Sequence, residues 1–306
     1  MSLVFQSTEA HLLRETLNEI ITDKTDGIER DLIFPKYLKV EGMSDAFEDD
    51  IEIAGPGLAS EKFEGQEMMM GSIKEGPVNR YFARTFAIRL GITREAMKDN
   101  KYPAAIDLGK LNKAALWKTA EVDGANVLAR AWNSTYTFGD GQPLASTAHP
   151  LAQGGTYSNT LATPMSPSVL ALSIVNSACK KLPGPDGLIQ GFTIKKVVFP
   201  TEQWAVWGAI LKSEFTPTAG NFSEVNVVNS KSGFMNVEPV EVKWWTNTTT
   251  NWGALTDAPN GLKWKWRERP DSNTWVENSN LVMWYGQWAR WSRGCSNPRG
   301  FYGSQA

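Results

Sequence analysis

Residues 53–80 constrain the fold more than any other stretch of this chain. They pass through Gly55-Pro56-Gly57, Gly65, Gly71 and Gly76-Pro77 and are rich in Glu and Lys. Such a segment is too polar and too interrupted to pack a core of its own, yet it lies between segments with clear structural patterns. A stretch of this length inside a compact domain is usually functional or flexible. Its composition fits an extended two-stranded arm, which is unstable alone and needs a surface to lie on. The cluster Met68-Met69-Met70 offers an adaptable apolar contact for that surface.

The flanking segments are more regular. Residues 8–22 carry Leu12, Leu13, Leu17, Ile20 and Ile21 on one face of a short helix that must dock on its own domain or on a neighbour. Residues 81–93 read as a strand, with Phe82, Arg84, Phe86, Ile88, Leu90 and Ile92 sharing one parity. A short helix follows at Thr93–Met97. Residues 102–133 give the strongest helix, with Pro103 in the first turn and an apolar stripe at Leu108, Leu111, Ala115, Val122, Ala125, Ala129 and Trp132. Thirty residues make a rod of roughly 45 Å, and Gly124 is a point where it can bend.

After the 134–165 loop, Ser166-Pro167 is placed to open a second helix as N-cap and first residue, ending at Lys180-Lys181. Phe192–Phe199 reads as a buried strand and Thr201–Ser213 as a third helix. Strands are expected at Glu238–Trp245, Leu262–Arg269 and Leu281–Arg293, separated by Asn/Thr/Gly/Pro turns. The class is α+β, with a long helix and extended arms near the N-terminus.

Composition excludes several functions. With 306 residues and 42% hydrophobic content the chain can bury a substantial core. A net charge of −2 gives no reason to expect tight binding to nucleic acid or anionic membranes. Cys179 and Cys295 form no CxxC pair, and His11 and His149 are the only histidines, so neither a zinc site nor a disulfide framework is expected. No apolar run reaches the roughly 20 residues needed to span a membrane, and Met1–Gln6 lacks the pattern of a signal peptide, so a soluble, unsecreted protein is expected. Of 13 tryptophans, 11 lie after residue 200, where they suit core packing in strands better than sugar or base platforms.

Four constellations resemble sites. Ser146, Thr147, His149 and Asp140 contain the groups of a hydrolase triad, but no Gly-x-Ser-x-Gly elbow is present, and His149 is better read as tying loop backbone together. The six acids at 41–52 (Glu41, Asp45, Glu48, Asp49, Asp50, Glu52) lack the spacing of a calcium loop and read as a solvated acidic loop. Gly154-Gly155 is no phosphate loop, since no Gly-Lys-Ser/Thr follows. Arg290, Arg293 and Arg299, interleaved with Trp288 and Trp291, suit a protein interface better than single-stranded nucleic acid.

The ordered set Gly91–Asn100, the long helix, Leu144–Pro150, Gly154–Asn159, Leu255-Thr256-Asp257, Gly261-Leu262-Lys263 and the closing Arg293–Ser304 resembles the major capsid proteins of tailed bacteriophages, notably the Mu-like major head subunit group. The resemblance spans about residues 50–305. It implies the Hong Kong-97-type capsid fold: an N-terminal arm at 1–45, an extended β-hairpin loop at 46–92, a peripheral domain at 93–159 with its spine helix at 102–133, an axial domain at 160–250, and return strands with the C-terminal segment at 251–306. It implies a non-enzymatic head protein that assembles as hexamers and pentamers into an icosahedral shell around double-stranded DNA. The implied partners are further copies of itself, a portal protein, a scaffold protein, a decoration or cement protein, and non-specific contact with packaged DNA, with no cofactor, metal or membrane. The implied location is the virion capsid, assembled in the host cytoplasm. An encapsulin-type nanocompartment shell shares the fold and is the alternative; a Ser/His hydrolase is a further one.

Candidate assembly residues are Lys62, Met68, Met69, Met70 and Lys74 in the arm, and Arg293 and Arg299 near the end. Arg299→Ala is expected to impair assembly more than subunit stability, and removal of 50–80 to leave a foldable subunit that makes no stable shell. Some relatives cross-link through Lys and Asn; Lys62 and Lys74 have no matching acceptor motif here, so no cross-link is expected.

Overall fold

A computed structural model describes residues 15–17, 19–20, 28–29, 31–93, 95, 102–215, 225–226, 228, 235–246, 248–277, 279 and 282–306. A single helical turn α1 (Phe34–Tyr37) leads into β1 (Lys39–Gly42), β2 (Phe47–Ala54), β3 (Lys74–Phe82) and β4 (Arg84–Ile92). The long helix α2 (Tyr102–Ala129) follows, then the short hairpin β5 (His149–Pro150) and β6 (Thr156–Tyr157). Helix α3 (Val169–Cys179), β7 (Ile194–Phe199), α4 (Trp204–Lys212), β8 (Glu238–Glu241) and β9 (Trp252–Thr256) come next. The chain closes with β10 (Leu262–Glu277), β11 (Val282–Cys295) and β12 (Phe301–Ser304).

Two four-stranded sheets organise these elements. One has the order β1-β10-β11-β4, with β1 parallel to β10 and the other pairs antiparallel. The other has the order β12-β9-β7-β8, with β7 and β8 parallel. Strands β2 and β3 pair only with each other, making the arm expected for 53–80, and residues 55–73 between them carry no regular structure.

Tryptophan builds the first core. Trp264 and Trp266 of β10 and Trp291 of β11 meet Phe34, Trp117 and Phe86, with Phe34–Trp264 centroids at 4.3 Å and Phe86–Trp291 stacked at 4.1 Å. Large planar side chains on paired strands reach across to the helix and fill the layer, as the payload reading expects. The second core gathers Leu172, Val175, Val197, Trp207 and Trp252 between α3, α4 and the second sheet.

Several elements differ from the sequence reading. Helix α2 ends at Ala129, not 133, because Ala131 N–H bonds back to Leu128 O and tightens the last turn. Its buried face carries Leu116, Trp117, Ala120, Ala125, Val127 and Leu128, whereas Leu108, Leu111 and Val122 of the predicted stripe are exposed. Trp117 decides the face by inserting into the aromatic cluster. Helix α3 is capped by Ser168, not Ser166; its Oγ accepts the Ala171 N–H at 3.0 Å from an extended backbone. The strand expected at 238–245 stops at Glu241 because a turn from Val242 drives Trp245 into the core. Strand β9 occupies what reads as a turn region. Of the helix expected at 8–22, Leu17 and Ile20 are buried against Ile92, Met283 and Tyr285, so it docks on its own subunit there; Leu12, Leu13 and Ile21 lie outside the described residues. Most of the helix expected at Thr93–Met97 also lies outside them.

Helix α2 runs unbroken through Gly124. A Cβ there would stand 2.8 Å from Phe34 Cβ, so the glycine provides clearance for α1. Glu121, one turn earlier, receives the Ile33 and Phe34 N–H groups at 2.5 and 3.2 Å and fixes α1 to the helix. This predicts a sign. Replacing an interior helical Gly by Ala ordinarily stabilises by about 1 kcal/mol, but Gly124→Ala should instead lower the thermal midpoint and speed proteolysis near residues 31–38. A rise in midpoint would return Gly124 to a helix-bending role.

Candidate functional site

Strand β10 has two buried faces of opposite character. In Leu262-Lys263-Trp264-Lys265-Trp266 the apolar parity enters the aromatic core, and the lysine parity is equally buried, with Lys263 5% and Lys265 3% exposed. Burying an ammonium is costly unless charges and hydrogen bonds meet it. The root of the arm supplies them. Lys263 Nζ contacts Asp50 Oδ2 at 2.7 Å and Glu41 Oε2 at 3.6 Å. Lys265 Nζ contacts Glu48 Oε2 and Asp50 Oδ1, both at 3.1 Å, and lies 4.4 Å from the centre of the Tyr81 ring. Ser296 Oγ donates to Asp50 Oδ2 at 2.6 Å, and Tyr81 shares a hydrogen bond with Ser296.

Residues 41–52 are therefore not the solvated loop expected, although Asp45 and Asp49 are exposed. Residues 41–42 close β1 and 47–52 lie in β2, where Glu48, Asp50 and Glu52 point inward while Phe47, Ile51 and Ile53 stay exposed. The alternation is ordinary for a strand, but its polarity is inverted because the surface beneath offers cations. Burial alone would raise the Asp50 carboxyl; hydrogen bonds from Lys263, Ser296 and Lys265 outweigh it and hold the group down at about 2. Lys265 is shifted upward, with Glu48 and Asp50 overcoming its desolvation. The arm root is also stitched by Asn79, whose Nδ2 donates to Ser296 O at 3.1 Å and whose Oδ1 accepts Gly139 N–H at 2.6 Å. Gly139 must lack a side chain, since a Cβ would fall 2.0 Å from Val78 O.

A second buried junction is built around the 141–159 loop. His149 is 1% exposed; its Nδ1 lies 2.6 Å from Asp140 Oδ2 and its Nε2 3.0 Å from Asn159 Oδ1. Asn159 Nδ2 donates to the carbonyls of Leu144, Pro298 and Phe301, and its Oδ1 also accepts Ser146 N–H. These bonds fix the amide orientation, so Nε2 donates, and the Nδ1–Asp140 contact requires one proton between its two atoms. Ser146 Oγ is engaged with Gln142 Oε1 at 3.0 Å. With both ring nitrogens committed to Asp140 and Asn159, no triad is assembled here. His149 does tie the loop together, as expected, but through Asn159, which the sequence reading did not single out. The half of the loop at 154–159 packs within the subunit: Gly154 and Gly155 turn the hairpin at positive φ, and Tyr157 and Asn159 are buried.

Arg299 links the two junctions. Its guanidinium is 1% exposed, pairs with Glu52 of β2, donates from Nε to Pro183 O at 2.6 Å and covers the Tyr157 ring at 4.4 Å. Arg299 is thus buried inside the subunit, where its contacts are with the arm and the loop. Arg293 pairs with Asp123 at 2.5 Å beside Trp291, whose Nε1 donates to the same carboxylate at 2.9 Å. Lys62, Met68, Met69 and Met70 sit in the exposed 55–73 stretch, and Lys74 opens β3, also exposed. The structure brings the arm candidates together on one projection and separates them from Arg293 and Arg299.

This arrangement of a projecting hairpin, a long helix on a sheet, and a second sheet with its own core recurs in solved structures. A virus-like particle from Pyrococcus furiosus matches with TM-score 0.55 at 10% identity, over 95% of this chain and 98% of that one. This is the Hong Kong-97-type capsid fold. A structure from Mycobacterium phage Che8 matches with TM-score 0.52 at 12% identity, over 89% and 90% of the two chains. The capsid of an empty GTA particle matches with TM-score 0.50 at 11% identity, over 88% of each. No family model matches the sequence, and no curated protein does.

The arm root makes a pH prediction. A carboxylate depressed in the folded state contributes stability that is full above its unfolded value near 4 and is lost as pH falls toward about 2. Wild-type protein should lose thermal stability steeply across that window, and Asp50→Asn, already about 2 kcal/mol less stable at neutral pH, should lose less; parallel pH profiles would refute the assignment. Arg299→Ala, which strands Glu52, should cost about 3 kcal/mol of subunit stability in urea unfolding. Normal stability with defective assembly would restore Arg299 to the interface.

Proposed function

We propose that this chain is the major capsid protein of a tailed phage, assembling as hexamers and pentamers into an icosahedral shell around double-stranded DNA. The observation that carries the reading is the arm. Its root is fixed by buried ion pairs, while its outer face carries Phe47, Ile51, Ile53, Val78 and Phe82 at 42–63% exposure, and beyond it Phe63 and Met68–Met70 stand at 61–94%. Apolar surface on a two-stranded projection has no core of its own to enter, and it marks an interaction face. The exposed Leu108, Leu111 and Val122 of α2 are a matching apolar stripe for a neighbour.

In this reading residues 1–45 are the N-terminal arm, 46–92 the extended loop, 93–159 the peripheral domain, 160–250 the axial domain and 251–306 the return strands, with β9 and β12 adding to the second sheet. The protein performs no catalysis. Many modest contacts closing the shell give it stability through multivalency. Portal, scaffold and decoration proteins are its partners, and the virion is its location, after assembly in the host cytoplasm. The likeness to the virus-like particle supports an encapsulin-type shell as the second reading.

Electron microscopy of the purified protein tests the proposal: closed icosahedral particles are expected, and a monomer at high concentration would refute it. Nuclease-protected genomic DNA inside native particles distinguishes a phage head from a compartment, which would hold a cargo protein. The informative truncation removes 55–73 rather than 50–80, because the longer cut deletes Asp50 and Glu52 and strands Lys263 and Arg299. The shorter deletion should fold with a near-normal thermal midpoint and form no particles; intact particles would show that the arm tip is dispensable.

A further inference from the structure

The crossing between the two sheets contains a chemically reactive bond. Strand β9 ends in the second sheet at Thr256 and β10 begins in the first at Leu262, so residues 257–261 carry the chain from one core to the other. Asn260 stands there at φ 55°, the one non-glycine residue with positive φ among the described residues. Ala258-Pro259-Asn260-Gly261 has the order a type II turn selects, with proline second and a residue that tolerates the left-handed region third. The fourth position is constrained too. A Cβ on Gly300 would fall 2.7 Å from Gly261 Cα, and one on Gly261 would fall 3.2 Å from Gly300 Cα, so the two backbones meet where side chains have no room. The turn asks for asparagine or glycine at 260, and the close approach asks for glycine at 261. Together they place at this crossing the only Asn-Gly pair in the chain.

Asn260 is exposed, and it lies on the rim of two clefts, one lined by Asp50 and Glu52 and the other by Lys36 and Lys196, so water reaches it. The turn is held by the C-terminal segment: Ser296 N–H donates to Gly261 O at 3.2 Å and Asn297 Nδ2 to Pro259 O at 3.0 Å. Neither bond engages the Asn260 amide or the Gly261 nitrogen, and glycine has no side chain to shield that nitrogen. We propose that Asn260 is a site of spontaneous deamidation and isomerisation. The Gly261 nitrogen attacks Asn260 Cγ; the new C–N bond closes a succinimide ring, and the side-chain nitrogen leaves as ammonia, carrying the proton that the Gly261 nitrogen gives up. Water then opens either carbonyl of the ring, giving aspartate or, with the main chain rerouted through Cγ, isoaspartate. The isoaspartyl product adds a methylene to the backbone where Gly261 already touches Gly300. A close-packed contact has no slack for it, so the crossing and its bonds to Ser296 and Asn297 loosen. The inference is independent of the shell reading.

Ageing the purified protein at mildly alkaline pH, followed by peptide mass mapping and isoaspartate methyltransferase labelling, tests it. The peptide containing Asn260 should convert several-fold faster than those containing Asn133-Ser134 or Asn176-Ser177. Its rate should rise with pH, because the attacking nitrogen must lose its proton. Asn260→Gly keeps a residue suited to positive φ and removes the reacting amide. It should hold its thermal midpoint on ageing, while wild-type protein loses midpoint in step with its isoaspartate content. Fresh Asn260→Asp adds the charge without lengthening the backbone, and its midpoint should stay near that of fresh wild type; a lowered midpoint would assign the loss to charge and overturn the backbone account. An unmodified Asn260 after the Asn-Ser sites have reacted would overturn the site. Equal loss of midpoint in aged wild type and aged Asn260→Gly would overturn its structural consequence.

Discussion

The pair of buried lysines on β10 sets the terms for the rest of the subunit. Lys263 and Lys265 cannot turn to solvent, because the same strand must present Trp264 and Trp266 to the aromatic core on its other side. Over residues 262–266 the strand is in regular register and alternates faces, so fixing the tryptophans fixes the lysines. Their charges then require an acidic lid, and β2 is that lid. The hairpin consequently lies acid-side down and apolar-side out, the reverse of a strand on an ordinary core. What looks like a weakly structured arm is held at its root by ion pairs that the core demands.

The two polar junctions share one logic. Asp50, Ser296 and Tyr81 bind the arm root to the end of β11; Arg299 binds β2 to the C-terminal segment; Asn159 binds the loop after α2 to the same segment. Each joins chain segments far apart in sequence using a few buried polar atoms whose hydrogen bonds are strong when satisfied and costly when broken. The C-terminal residues are thus a hub through which arm, loop and both sheets are fixed relative to one another. His149 belongs to this hub, which accounts for its burial without invoking chemistry.

Much of the architecture is legible in residue order. The long helix, the existence of an arm around 53–80 and the late β-rich region follow from periodicity and turn residues, though the arm's first strand reaches back to Phe47; the capsid resemblance supplied the fold. Where the sequence misleads, a tertiary choice is responsible. The α2 stripe through Leu108 and Leu111 has helical spacing too, but Trp117 against Trp266 and Gly124 against Phe34 lie on the other face, and the core forms there. The acidic 41–52 segment reads as solvated because charge is normally surface; its inward turn becomes visible only when the Lys-Trp-Lys-Trp alternation of β10 is set beside it. Arg299 looks like a rim arginine for the same reason. Asn159 carries no signal at all in a single sequence, since one amide among many gives no hint that it will accept and donate at the crossing of three segments.

The contrast between a fixed arm root and irregular residues 55–73 has a geometric consequence. Neighbours in a closed shell do not all meet at the same angle, since a flat patch and a sharp vertex must be tiled by one chain. The root, locked to β10 by buried charge, cannot absorb that variation without exposing Lys263 and Lys265. In the proposed shell, angular tolerance is thereby relegated to the glycine-rich stretch between β2 and β3, which carries no regular secondary structure to break. On the shell reading proposed above, the subunit is a rigid tile with a compliant grout line, and curvature is accommodated between tiles rather than within them.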